Sequence, residues 1–444
     1  MNARELATNV LCKVFNENAY SNIALNKELK GKELKGKELK DMDRGLITEI
    51  VYGTIKYKYT IDIIIKSFVK DIKKVDNYVL NILRITVYQI RYLDKVPNYA
   101  AVNEAVNLAK KKSKASSKFV NAVLRNYLRN EEKDFLNNQD RFERWAYEYS
   151  FEPWMIRSLY KQYGNKYTEL ILKGLNNRPA VTVRTNSIKG SYDDIFKGLQ
   201  EAGYEISRGY VCDDAIVISK GSSIEKNRAF VEGEITVQDE SAMLVANVMD
   251  INKDDIVLDL CAAPGGKTTH IAELLKGTGK VLAFDIQEGK LKFIKENMDR
   301  LGLSNIVLDT MDATRFNEKL INKADKVLID VPCSGIGIIR KKPEIKWNKN
   351  LKNLKELIAI QREIMKNASQ YVKKGGILLY STCTLNKEEN EDNIKWFLKN
   401  NNNFKLEKVY FKEANNIIYS EEGSVTILPQ ENMDGFFIAK LMRV

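Results

Sequence analysis

From Gln238 onward, short apolar runs alternate with amphipathic stretches, and this alternation restricts the second half of the chain to one class of fold. The runs at 256–260, 280–284, 305–308, 326–330 and 376–382 read as strands. Helices are expected near 267–276, 289–301, 351–372 and 387–399. Strands separated by helices imply a mostly parallel, doubly wound sheet. Two later apolar runs, 424–428 and 435–441, lie close enough to pair as an antiparallel hairpin at one edge. In open sheets of this kind, ligands bind outside the carboxyl ends of the strands. Two cysteines stand at two such ends: Cys333 in Asp330-Val331-Pro332-Cys333, and Cys383 in Ser381-Thr382-Cys383. The pattern predicts that both thiols face one pocket.

The first half has a different character. Residues 1–130 carry 25 Lys and Arg against 13 Asp and Glu, while the remaining 314 residues carry 46 of each, so the whole net charge of +12 sits in the N-terminal part. Residues 1 to about 135 read as all-helical, with few Gly or Pro. The segment 98–112 places Val102, Ala105, Val106 and Ala109 at helical spacing, and 117–130 does the same with Phe119, Val120, Val123, Leu124, Tyr127 and Leu128. Lys118, Arg125 and Arg129 fall on one side of the second helix, just after Lys110, Lys111, Lys112 and Lys114. A basic helical module beside a neutral α/β one suggests a polyanion-binding domain attached to a catalytic domain. A solvated lysine-rich face is the competing reading of charge alone.

Between the two, Pro153 suits the first turn of a helix. Strand-like runs at 180–186 and 215–219 flank a helix at 191–202, which makes a small α+β unit of roughly 150–235. A Lys-Glu-Leu-Lys-Gly repeat spans 27–40. Its five-residue glycine period does not match a helix and predicts a loop or helix end.

Several classes of protein are set aside by composition. No apolar stretch approaches the ~18 residues of a membrane span, and no signal-peptide core follows Met1, so an intracellular location is expected. Five scattered cysteines predict reduced thiols rather than a disulfide framework. With His270 as the only histidine, a multi-His metal site has no ligands, and no metal is expected.

The loop Cys261-Ala262-Ala263-Pro264-Gly265-Gly266-Lys267 joins the first strand of the sheet to its helix. Paired glycines allow close backbone approach to a ligand at a helix N-terminus. Gly266-Lys267-Thr268 resembles the tail of a phosphate-binding P-loop, but that motif needs glycine where Cys261 stands, and Pro264 removes an amide. The dinucleotide pattern of three glycines is also missing. A nucleoside cofactor with a carboxylate and no phosphate remains, and S-adenosylmethionine fits, its carboxylate facing the loop amides. Asp285, 26 residues after Asp259, is placed to accept ribose hydroxyls, and Asp312 to accept from the adenine amino group.

Cys261–Lys267, Asp330-Val331-Pro332-Cys333 and Ser381-Thr382-Cys383 together resemble the RNA 5-methylcytosine methyltransferase family. The basic loop Arg340-Lys341-Lys342-Pro343-Glu344-Ile345-Lys346-Trp347 and Asp434-Gly435-Phe436-Phe437 fit the same family, with Val331 standing where alanine is commoner. Segments such as 102–106 and 119–125 are similar to the RNA-binding domain of the NusB antitermination factor, a combination that resembles the branch directed at small-subunit ribosomal RNA. The resemblance implies three parts: a NusB-like helical domain at 1–140, a small α+β domain at 141–235, and a Rossmann-like methyltransferase domain at 236–444. It implies S-adenosylmethionine as cofactor and 16S ribosomal RNA as partner, with a monomeric chain expected. RNA contact is expected at Lys118, Arg125 and Arg129 of the basic helix cluster and at Arg340, Lys341 and Lys342 of the basic loop. Relatives that act on tRNA, and RNA-binding factors without catalysis, are the alternatives.

The chemistry follows from the ring. Carbon 5 of cytosine becomes nucleophilic only after a thiolate adds at carbon 6. By resemblance Cys383 is that thiolate, Cys333 assists release, and Asp330 lies where the family places cofactor and cytosine contacts. Spacing alone does not order the two thiols, and DNA cytosine methyltransferases use the cysteine of the Pro-Cys motif instead. A thiol of ordinary pKa ~8.5 needs activation, to which Lys267 is placed to contribute.

Overall fold

The computed structural model describes residues 3–33, 41–136 and 140–444. They form two compact units. One holds the chain up to Asn176 together with Lys341–Asn348, and the other holds Asn177–Arg340 with Lys349–Val444.

The first unit is built on helices Ala3–Asn16, Ser21–Glu33, Asp41–Lys56, Lys58–Lys66, Asn77–Tyr92, Asn98–Lys112, Lys114–Leu128, Arg141–Tyr149 and Pro153–Asn176. Asn77–Tyr92 is buried on every side from Val79 to Ile90, including its polar residues Asn81, Arg84, Thr86 and Gln89, so it is an interior helix rather than an amphipathic surface one. Asp76 caps it by accepting from the amides of Tyr78 and Val79. The buried Arg84 is matched by Asp62, at 2.7 and 2.9 Å. Of the repeat, 27–33 form the end of the helix Ser21–Glu33, and 34–40 lie outside the described residues. The helix from Pro153 also packs with this unit, whereas the sequence assigned 141–235 to a middle domain.

The short segment Lys341–Asn348 is held by buried polar bonds that its sequence did not announce. Glu344 accepts from the amide and hydroxyl of Ser21, at 3.1 and 2.7 Å. The fully buried Lys346 donates to the carbonyls of Lys56, Tyr149 and Ser150 and to Asn176 Oδ1.

The second unit contains two sheets. Strands β1 (Val181–Thr185), β2 (Glu205–Arg208), β3 (Ala215–Lys220) and β4 (Ile235–Val237) form an antiparallel sheet in the order β2-β3-β1-β4. The larger sheet holds β5 (Ile256–Asp259), β6 (Lys280–Asp285), β7 (Ile306–Thr310), β8 (Ala324–Asp330), β9 (Val372–Thr382), β10 (Phe404–Glu407), β11 (Ile417–Tyr419), β12 (Val425–Ile427) and β13 (Phe436–Arg443). Its order is β7-β6-β5-β8-β9-β13-β12-β11, with β10 also on β13. The pairs from β7 to β9 are parallel, as the alternation predicted.

The chain leaves β5 in one direction through β6 and β7, then returns to the other side for β8 and β9. The order reverses between β5 and β8, which opens a crevice at their carboxyl ends. The last strand is not the edge hairpin expected. Although β13 does pair with β12, it also pairs antiparallel with β9 over six residues. Its run Phe436, Phe437, Ile438, Ala439 and Leu441 is buried throughout, the mark of an interior strand.

Candidate active site

At the crevice, β5 ends in Asp259 and the chain turns through the glycine-rich loop. Gly265 takes a left-handed φ of 102°, and a Cβ there would come within 3.1 Å of the Ile294 side chain. The loop spends several amides on itself: Ala262 donates to Phe284 O, Gly265 to Ala262 O, and Ala263 to Asp285 Oδ2 at 3.2 Å. The first-turn amides of the helix Gly266–Leu274 have no intrahelical acceptor, so the groups able to receive an anion lie at the helix start rather than along the whole loop.

A buried arginine from the other sheet braces this turn. Arg184 on β1 donates to Gly266 O at 3.0 Å and pairs with Glu273 at 2.7 and 3.1 Å. Sequence reading missed it. The signal was present: a lone charge inside the strand-like run 180–186.

Four carboxylates gather round the loop. Asp259 is buried, accepts from Thr268 Oγ1 at 2.7 Å, and is pushed by burial up to about 7. Asp285 accepts from the amides of Ala263 and Gln287. Asp312 is held below the usual carboxylate range, first by the hydroxyl of Thr314. Asp330 accepts from Lys267 Nζ and from Ser381 Oγ, each at 2.7 Å. Burial lifts the Cys261 thiol far above its ordinary range, and the charges of Asp259, Asp330, Asp285 and Asp312 add to that effect. Cys261 is therefore a protonated, inert thiol within an acidic cradle.

The neighbouring strand ends carry the thiol pair. The β8–β9 register sets Asp330 opposite Ser381, which brings Cys333 and Cys383 together with their sulfurs 3.4 Å apart. Both are half-buried. The hydrogen bond to Cys383, then burial, raises the Cys333 thiol well above its usual range. The two thiols are close enough to share a hydrogen bond, in which either sulfur can be the donor. Lys267 is lifted above its usual range because Asp330 outweighs the burial that opposes it, so an ammonium group stands in the same pocket. Its Nζ also sits 5.1 Å from the centre of the Phe436 ring. Ser381 and Phe436 were within quoted motifs, yet their contacts with Asp330 and Lys267 were not anticipated.

The expected RNA residues separate into groups. Lys118, Arg125 and Arg129 are exposed along the helix Lys114–Leu128. Lys341 and Lys342 are half-buried in the helical unit, with Lys342 Nζ 6.0 Å from the Tyr20 ring. Arg340 departs from the RNA contact that was expected of it. Its side chain is buried against Asp434 at 2.6 Å and Asp239 at 3.2 Å, and it donates to the carbonyls of Gln430 and Glu431. With its donors so engaged, Arg340 fastens the chain after the Pro-Cys turn and offers nothing to a phosphate.

This geometry agrees with what known proteins share with the chain. Residues 246–442 match the family model 16S rRNA methyltransferase RsmB/F, residues 1–129 the NusB family, and residues 151–225 the RsmF/B-like ferredoxin-like domain. A probable ribosomal RNA small subunit methyltransferase B of Bacillus subtilis is 38% identical, covering 99% of this chain and 98% of its own. The corresponding protein of Shewanella oneidensis is 30% identical, covering 100% and 99%. The chain belongs to the ribosomal RNA small subunit methyltransferase B family. The crystal structure of the protein PH0851 superposes with a TM-score of 0.84 at 28% identity, covering 100% of this chain and 99% of that one. A methyltransferase homolog from Pyrococcus horikoshii gives 0.61 at 26% identity, covering 69% and 100%. Family membership makes the helical unit's start a NusB-type domain, the four-stranded sheet part of a ferredoxin-like domain, and the nine-stranded sheet the methyltransferase domain.

Proposed function

We propose that this methyltransferase transfers a methyl group from S-adenosylmethionine to carbon 5 of a cytosine in 16S ribosomal RNA, through a covalent bond between Cys383 and the base. The RNA class comes from the names of the full-length relatives and from the basic helical domain. The observation that supports the chemistry is the thiol pair, two sulfurs 3.4 Å apart at neighbouring strand ends.

The residues of the crevice fit the cofactor. Four carboxylates around one loop disfavour a phosphate ligand and favour a cation, which suits a molecule carrying a sulfonium and an ammonium group. Its single carboxylate matches the helix N-terminus at Gly266, and Asp285 would take the ribose hydroxyls. When bound, the cofactor supplies an electrophilic methyl group.

The protein supplies the rest. Cys383 adds to carbon 6 as a thiolate, and the ring electrons move to carbon 5, which takes the methyl. Loss of the carbon 5 proton then lets the ring expel Cys383. Cys333 is the group in contact with the departing sulfur and retains a proton to deliver there. Lys267 and Asp330 form the polar wall beside the thiols, fixed by Ser381. The target base must leave its stack or already be unpaired to reach this wall.

The test uses RNA and S-adenosylmethionine with two variants. Cys383→Ala should lose methyl transfer by about 10⁴-fold or more and form no adduct. Cys333→Ala should accumulate a protein–RNA species that survives denaturing electrophoresis. Reversal of this pattern overturns the assignment of the two sulfurs.

A further inference from the structure

Behind the two sulfurs lies a buried carboxylate that neither the thiol chemistry nor the cofactor cradle uses. Glu389 is 0% exposed. It follows β9, six residues beyond Cys383. Its Oε2 accepts from the Ser334 amide and from Gln361 Nε2, both at 2.9 Å. Its Oε1 accepts from Ser334 Oγ at 2.5 Å and Asn386 Nδ2 at 3.2 Å. Four neutral donors satisfy it, as a buried charge without a cationic partner requires.

The placement of these donors is specific. Ser334 follows Cys333, and Thr384 follows Cys383. Because Ser334 Oγ donates to Glu389, the 2.6 Å bond between Ser334 and Thr384 runs from Thr384 Oγ1 to Ser334 Oγ. Gln361 also donates to Pro332 O at 3.0 Å. Glu389 and Gln361 therefore grip the turn Pro332-Cys333-Ser334 from both sides. Cys383 has an anchor of its own: its carbonyl accepts from Gly337 N at 3.0 Å, and Thr382 beside it is in the β9–β13 register.

We propose that Glu389 is a positioning residue that holds the Cys333 turn against Cys383, and so governs release of the methylated base more than its capture. The proposal rests on the covalent reading above. Contact between sulfurs demands a placement good to a fraction of an ångström. Loss of Glu389 frees the turn bearing Cys333, while the strand bearing Cys383 keeps its anchors. The charge acts in the same direction. Cys333 faces Cys383 first, then Glu389 and Asp330, and these neighbours favour its protonated form.

The experiment compares Glu389→Gln, Glu389→Ala, Ser334→Ala and Cys333→Ala in the full-length protein with RNA and S-adenosylmethionine. Single-turnover methylation should stay within about threefold of the parent for Glu389→Gln, while repeated turnover falls about 100-fold, the scale of a 1 Å misplacement. The adduct should accumulate. Glu389→Gln, which retains an acceptor for the Ser334 amide, should be milder than Glu389→Ala. Removing the negative charge should also shift the alkaline limb of turnover to lower pH, since Cys333 then gives up its proton more readily. A purely structural role would leave that limb in place.

Ser334→Ala keeps the amide bond and removes the hydroxyl link, so it reports even where Glu389 variants do not fold, and it should trap adduct to a smaller extent. If Cys333→Ala traps adduct while Glu389→Gln and Ser334→Ala turn over normally without it, the role of Glu389 is refuted and the covalent reading stands. If Cys333→Ala itself traps nothing, the covalent reading of the pair fails.

Discussion

Two clusters at the carboxyl ends of one sheet place cysteine in opposite circumstances. After β5, Cys261 lies among Asp259, Asp285, Asp312 and Asp330, and both burial and negative charge fix its proton. After β8 and β9, Cys333 and Cys383 face each other at 3.4 Å, with Lys267 above its usual range in the same pocket. The side-chain contact with Cys383, then burial, raises the Cys333 thiol above its usual range. The residue type is the same at all three positions. Its neighbours set how readily each sulfur gives up its proton, and the function proposed above turns on that difference.

The widest gap between the clusters should appear at Cys383. If its removal left methyl transfer within tenfold of the parent, against the loss of about 10⁴-fold expected of a nucleophile, the comparison would collapse. Labelling by radioactive methyl groups measures it directly.

The acidic cradle makes its own demand through Asp259. Its folded-state value of about 7 lies above the ~3.9 of an unfolded aspartate, so the native state binds more protons between those values. Stability should therefore fall as pH rises from about 4 to 7, by an amount of order 4 kcal/mol from this group. Asp259→Asn should flatten that slope, which urea unfolding across the pH range would show. A slope unchanged by the substitution would mean that Asp259 is ionised in the native protein and that the cradle is more polar than its burial implies.

Beneath the same loop, Arg184 shows how much of the cradle is support. Arg184→Met strands Glu273, whose carboxyl burial already lifts, and should cost about 3 kcal/mol in urea unfolding. The double variant with Glu273→Gln should recover part of this. An equal loss in both would show that Arg184 acts through the Gly266 carbonyl rather than through its ion pair.

These examples show which features the sequence made legible. Strands β5, β6, β8 and β9 stood out because each is a short apolar run closed by Asp or a Ser-Thr-Cys turn. The sequence marks the thiols at two strand ends, and the β8–β9 pairing makes those ends neighbours. Arg184, Arg340 and Glu389 escaped because a buried charge looks like a surface charge until its partner is found, and the partners lie far along the chain: Glu273, Asp434 and Ser334. Strand β2 escaped for another reason. Its Glu-Ile-Ser-Arg sequence lies at an exposed edge and carries no apolar alternation. The allocation of Lys341–Asn348 to the helical unit depends on single hydrogen bonds such as Glu344 to Ser21, which no periodicity records.

The smallest effect completes the comparison. Cys261→Ala removes a protonated sulfur that only packs, in a loop whose conformation depends on Gly265, Asp285 and Arg184 rather than on the thiol. The cost to stability should be about 1 kcal/mol, as for loss of a small buried side chain. Methyl transfer at saturating cofactor should stay within about threefold of the parent, and any change should fall on the cofactor KM. Turnover measured across cofactor concentrations separates the two. A fall in kcat approaching that of Cys383→Ala would place a reacting sulfur in the acidic cradle, against the charges that now hold its proton.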